Sequence, residues 1–63
     1  MITIAYDALR DDYEIRDKKT GNCRGYIWQC SGRWAVRVDN DRAQYRDTKD
    51  EALALARELA APR

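Results

Sequence analysis

The residues of this chain able to do chemistry are few in kind. There are two cysteines, Cys23 and Cys30, eleven carboxylates, twelve Lys or Arg and no histidine. A zinc site wants Cys and His ligands at short, regular spacings, and neither a Cys-x-x-Cys pair nor any His exists here. Cys30 lies near Arg33, a cation of the kind that activates a thiol, but nothing around it would orient a substrate. Asp11-Asp12 and Asp39 with Asp41 could meet a hard cation, yet adjacent acids of this kind are the ordinary composition of solvated turns. No glycine-rich phosphate loop occurs. The sequence therefore points away from an enzyme, and from any metal or cofactor. What remains is Arg with Trp and Tyr, a chemistry of stacking and bidentate contact.

Charge places that chemistry in the middle of the chain. Residues 1–22 carry four basic and five acidic side chains, residues 23–46 five and two, and residues 47–63 three and four. All five cations of the middle segment are Arg. The net charge of +1 is too small to imply a polyanionic partner by itself.

The elements that must position these residues follow from pattern. Tyr45-Arg-Asp-Thr48-Lys-Asp-Glu51 ends in a capping box, in which the Thr and Glu side chains satisfy backbone N–H groups at a helix start. The apolar positions Ala52, Leu53, Leu55, Ala56, Leu59 and Ala60 then fall on one arc, opposite Asp50, Arg57 and Glu58. A helix over about 49–61 is expected, with Pro62 barring continuation. Upstream, Ile2–Tyr6 and Tyr13–Arg16 alternate as strands do. Tyr26–Cys30 and Arg33–Val38 are strands joined by Ser31-Gly32, a two-residue hairpin signal. Asn40-Asp41 is expected to turn into a further strand, Arg42–Arg46.

Register then sorts residues into faces. A turn at Ser31-Gly32 pairs Cys30 with Arg33, Gln29 with Trp34, Trp28 with Ala35 and Ile27 with Val36. A turn at Asn40-Asp41 pairs Val38 with Ala43 and Val36 with Tyr45. Paired residues share a face, and alternate residues swap faces. One face holds Ile27, Trp34, Val36, Val38, Ala43 and Tyr45, joined by Tyr13 and Ile15 through a five-residue loop after Asp17. This is the core face for the helix. The other face holds Tyr26, Trp28, Cys30, Arg33, Ala35, Arg37, Gln44 and Arg46. Cys23 and Cys30, on one extended strand, would stand about 23 Å apart, far beyond the ~7 Å that a disulfide spans.

The expectation is thus a single α+β domain over 1–63, an antiparallel sheet of three or four strands with one C-terminal helix on one face (βββα). No apolar run is long enough for a membrane span, and the first residues lack the basic and apolar regions of a signal peptide. A cytoplasmic protein is expected.

Nothing in the sequence covers the second face. It is either solvated, overlaid by the N-terminal segment with Ile2, Ile4 and Leu9, a homodimer seam, or a binding surface. As a binding surface it would use Tyr26, Trp28, Arg33, Arg37, Gln44 and Arg46. Trp, Tyr and Arg are the types enriched at protein–protein hot spots, and also those that stack on bases and reach phosphates. The acids of the neighbouring turns dilute the basic field, which favours a protein partner over a nucleic acid.

The order Trp34-Ala-Val36, Tyr45, Thr48, Glu51-Ala52 and Ala56 resembles a small bacterial and phage domain family of unknown function. That family ends in a W-x-V strand, an aromatic-x-T step and an E-A-x-x-x-A helix. The resemblance covers about residues 26–61. Here Arg46 and Asp47 separate the aromatic residue from Thr48, where the family has one residue, and the chain carries extra N-terminal strand material. In size and style it is also similar to phage accessory proteins, including anti-CRISPR proteins, which block host defence by stoichiometric binding. This implies a non-enzymatic inhibitor or adaptor from a phage or mobile element that binds a host protein complex. The alternative is a nucleic-acid-binding module using the basic-aromatic sheet face.

Overall fold

The computed structural model describes residues 1–61. Five strands, β1 (Ile2–Asp7), β2 (Asp12–Asp17), β3 (Cys23–Cys30), β4 (Arg33–Val38) and β5 (Gln44–Arg46), precede one helix, α1 (Lys49–Leu59). The strands form one antiparallel meander in the order β1-β2-β3-β4-β5. The α+β class holds, and the sheet has five strands rather than three or four. The N-terminal segment supplies the extra one. It does not lie across the open face but pairs edge-on with β2, Ile4 opposite Ile15 and Tyr6 opposite Tyr13.

The β3–β4 hairpin has the register its turn dictates. Ser31 and Gly32 both take positive φ, 51° and 79°, the backbone of a type I′ turn whose twist matches the strands. Cys30 pairs with Arg33 and Ile27 with Val36. On the β2 side Tyr13 pairs with Ile27 and Ile15 with Gly25, with a bulge after Ile15. Gly25 is required by close approach: a Cβ there would stand 1.9 Å from the Arg37 carbonyl oxygen.

The β4–β5 connection departs from expectation. The residues at positive φ are Asp39 (56°) and Asn40 (61°), and the Asp41 N–H donates to the Val38 carbonyl at 3.1 Å. The turn therefore sits one residue earlier than Asn40-Asp41. The chain leaves the ladder over 41–43 and rejoins it with Val36 opposite Gln44, Ala35 opposite Tyr45 and Trp34 opposite Arg46. Tyr45 was expected opposite Val36. Because side chains alternate along a strand, this slip of one exchanges every face assignment in β5. Asp39 is fixed by Arg24, whose guanidinium meets it with two hydrogen bonds of 2.6 and 2.7 Å.

The helix begins as its cap requires. Thr48 is extended (φ −124°, ψ 157°), and its hydroxyl oxygen accepts the Glu51 N–H at 3.2 Å. The same hydroxyl donates to Glu51 Oε1 at 2.9 Å, so the two box residues hold each other. The helix ends at Leu59 with Ala60 as its cap, two residues short of expectation, and Pro62 lies outside the described residues. Ala52, Leu55, Ala56 and Ala60 are buried against Ile15, Ile27, Val36 and Val38. Ile15, Ile27 and Val36 are fully enclosed, each contributing roughly 1.5–3 kcal/mol by leaving water. The small Ala side chains bring the helix close over β4 and β5. Among the described residues no helix is long and apolar enough to cross a membrane.

Candidate functional site

The face turned away from α1 is organised in cross-strand rows. Glu14, Tyr26 and Arg37 form one row across β2, β3 and β4. Trp28, Ala35 and Tyr45 form the next, across β3, β4 and β5. Ala35 is completely buried although no helix lies on it. A methyl side chain between two aromatic residues in one row is shielded by them, so Trp28, Ala35 and Tyr45 make a continuous apolar saddle. Tyr45 is 48% exposed and Trp28 half-buried. Cys30 and Arg33 close the face at the hairpin end.

Of the six residues expected to bind, the structure brings together four: Tyr26, Trp28, Arg33 and Arg37. Gln44 and Arg46 are placed on the helix face by the β5 slip, opposite Val36 and Trp34. Tyr45 takes their place on the open face. Arg10 was also missed. It stands at the end of the β1–β2 turn with its guanidinium 4.1 Å over the Tyr26 ring, while its Nε lies 3.3 Å from the buried Asp12 carboxylate. No sequence signal marks a lone Arg in an acidic turn as a stacking partner. The β5 slip had only an ambiguous signal, since Asp39-Asn40 tolerates positive φ as readily as Asn40-Asp41 does.

Electrostatics separates the arginines of the face. Arg10 pairs with Asp12, Arg16 with Glu14 at 2.6 Å, and Arg33 with the exposed Asp47 at 3.7 Å. Arg37 is in none of the ion pairs among the described residues, and its Nε donates to the Asp41 carbonyl oxygen at 3.1 Å. The face thus offers one guanidinium without a carboxylate partner beside an aromatic saddle, and its other cations already have carboxylate partners.

A depression of about 560 Å³ lies elsewhere, between the Asp39–Arg42 segment and the end of α1. Its Arg24 is committed to Asp39 and lies 3.9 Å from Asp17. Among the described residues no cluster of Cys, Asp or Glu has the geometry to hold a metal ion. Cys23 and Cys30, at opposite ends of β3, are exposed free thiols.

Residues 27–63 match the family described as an uncharacterized protein conserved in bacteria (DUF2188). The chain belongs to this family. No curated protein and no solved structure matches it. The matched segment starts inside β3 and takes in β4, β5 and α1, so DUF2188 membership covers the β4–β5–α1 half of the fold. Trp34, Val36, Thr48, Glu51, Ala52 and Ala56 serve there as core and cap. Trp28, Arg33, Arg37 and Tyr45 also fall inside the matched range, and Tyr26 falls just outside it.

Proposed function

We propose that this DUF2188 protein is a non-enzymatic binding protein that engages another protein through the open sheet face. Trp28, Tyr45 and Tyr26 are the anchors. Arg37 supplies the charged contact, with Arg33 at the rim. The observation that carries this reading is the Trp28–Ala35–Tyr45 saddle beside the unpaired Arg37. A rigid aromatic patch with one Arg is the composition of an interface hot spot. Strand pairing holds the backbone of all these residues, so little ordering entropy is lost on binding.

A stoichiometric inhibitor or adaptor acting on a bacterial host complex, such as a defence system of the kind phage accessory proteins target, is the form of binding this size and surface suit. Nucleic-acid binding is the weaker reading. It would need several free cations along a strand path, and carboxylates already occupy Arg10, Arg16 and Arg33.

Salt and substitution test the two readings together. Labelled protein is titrated with mixed-sequence DNA and RNA at low salt, and in parallel used as bait for host proteins. The expected result is no nucleic-acid shift at near-millimolar ligand, and a captured partner lost by Trp28→Ala and by Arg37→Glu. Shifts centred on Trp28 and Arg37 that vanish at high salt would replace the protein-binding reading with the nucleic-acid one. A partner bound equally by both variants would remove the site from this face.

A further inference from the structure

The sheet has two edges, and they are built differently. β5 is three residues long and carries Arg46, a short charged edge of the kind that resists pairing. β1 is six residues long, and Ile2-Thr-Ile-Ala-Tyr6 contains no charge, no proline and no bulge. The Lys18 N–H donates to the Met1 carbonyl. Antiparallel bonding alternates, so Met1, Thr3 and Ala5 bond to β2. The N–H and C=O groups of Ile2, Ile4 and Tyr6 then point off the sheet. Three of the four exposed large hydrophobic residues stand along this same edge: Met1 (83%), Tyr6 (55%) and Leu9 (99%).

We propose that the β1 edge is a docking strand for a second copy of this chain, which adds its own β1 antiparallel to form a continuous ten-stranded sheet about a two-fold axis at Ile4. The occupant follows from self-complementarity. With Ile4 opposite its own copy, Ile2 meets Tyr6 and Tyr6 meets Ile2, so all outward-pointing backbone groups of the three residues find partners. Aromatic–β-branched pairs of this kind are favoured across strands. The same register lays Met1 beside Asp7 of the other copy and brings the exposed Leu9 toward its Met1. It also places Asp7 of one copy two strand spacings, about 10 Å, from Lys18 of the other, with Met1 between them. A like-charged pair occurs nowhere in the seam. Helix α1 makes its main contacts with β4, β5 and β3, and it is its last turn that approaches β1, at Met1 and Ile2, so the body of each helix lies away from the seam. The open faces of both copies end up on one side, which doubles the proposed binding surface.

Amide exchange and sedimentation on the full chain, from micromolar to near-millimolar concentration, test this. The expected result is a monomer–dimer equilibrium in which the Ile4 and Tyr6 amides become protected as the dimer fills. Thr3→Lys with Ala5→Lys places Lys near Lys across the seam on exposed positions, and it is expected to leave a folded monomer with those amides exchanging freely. A monomer at every concentration overturns the proposal. So does a dimer whose Ile4 and Tyr6 amides exchange at monomer rates, because its seam lies elsewhere.

Discussion

The two faces of this sheet are made by the same strands, one residue out of step, and they solve opposite problems. Ile27 and Val36 face α1 and are completely enclosed. Trp28 and Arg37, the next residues along, face away and lie under no second layer. The helix face gains its stability from a helix held to β4 and β5 by small residues. On the open face Ala35 is as fully buried as Val36, yet what shields it is a pair of flanking aromatic residues in its own row. One face is closed by another element, the other only by its own side chains. A surface closed in that way is rigid, apolar at its centre and still available.

The comparison breaks most visibly at adjacent residues of β3. Ile27→Ala leaves a cavity between sheet and helix and is expected to cost about 2–5 kcal/mol. Trp28→Ala, one residue on, is expected to cost less than Ile27→Ala, because Trp28 is only half-buried, while abolishing partner binding. Chemical denaturation of both variants reads the split, and equal losses would mean that Trp28 is part of the core rather than of a binding face. Overpacking tests the helix face from the other direction. Gly25→Ala drives a methyl into the Arg37 carbonyl and is expected to cost about 1–3 kcal/mol. An unchanged unfolding midpoint would show that β3 and β4 do not approach as closely as described.

A smaller effect is expected at the helix start. Thr48→Ala removes both hydrogen bonds of the box and should cost about 1 kcal/mol, equivalent to roughly 4–8 °C in Tm for a domain of this size. Binding by the open face should be untouched. Loss of binding in a folded Thr48→Ala protein would tie the helix to the partner surface and erase the division between faces. Within β5 the division can be read directly: Tyr45→Ala should weaken partner binding and Gln44→Ala should not. The reverse result would restore the register in which Tyr45 faces the helix.

Where the sequence was legible, a turn and a periodicity agreed. Ser31-Gly32 admits one tight turn, and it set the correct faces for Tyr26, Trp28, Trp34 and Val36. Thr48 and Glu51 marked the start of α1, and the Ala-Leu arc marked its buried side. Asp39-Asn40-Asp41 offers two tight turns of similar chemistry, and nothing local chooses between them. The turn observed is the one in which Arg24, fifteen residues away, holds Asp39. A long-range contact of that kind has no signature in a window of sequence, and the turn it accompanies exchanges Tyr45 with Gln44 and Arg46. Arg10 was hidden for the same reason, since its partner Tyr26 lies across a strand. The alternation of Ile2, Ile4 and Tyr6 showed a strand, but not that it would close the sheet on its far edge.

The smallest effect is electrostatic, and it acts on the contact at the turn that sets the β5 register. The Arg24 guanidinium at 2.6 Å holds the Asp39 carboxyl below its ordinary range. Asp17 is lowered too, first by the backbone N–H of Thr20 and then by that of Lys19. A lowered folded value means that the unfolded chain takes up protons first as pH falls. Each group's stabilisation is therefore complete above the unfolded carboxylate value of about 4 and is lost as pH drops through and below it. Asp39 is about half exposed, so its share is small and salt screens it. Asp39→Asn keeps a residue that tolerates positive φ and removes only the charge. Urea unfolding of this variant is expected to show a slightly lower midpoint at neutral pH and a shallower decline on acidification than wild type. At a pH low enough to protonate Asp39 in the folded state as well, the two proteins should converge. A gap that persists unchanged to that pH would mean that Asp39 holds its turn through backbone geometry alone. In that case the ion pair with Arg24 would not be what decides whether Tyr45 or Gln44 joins Trp28 on the open face.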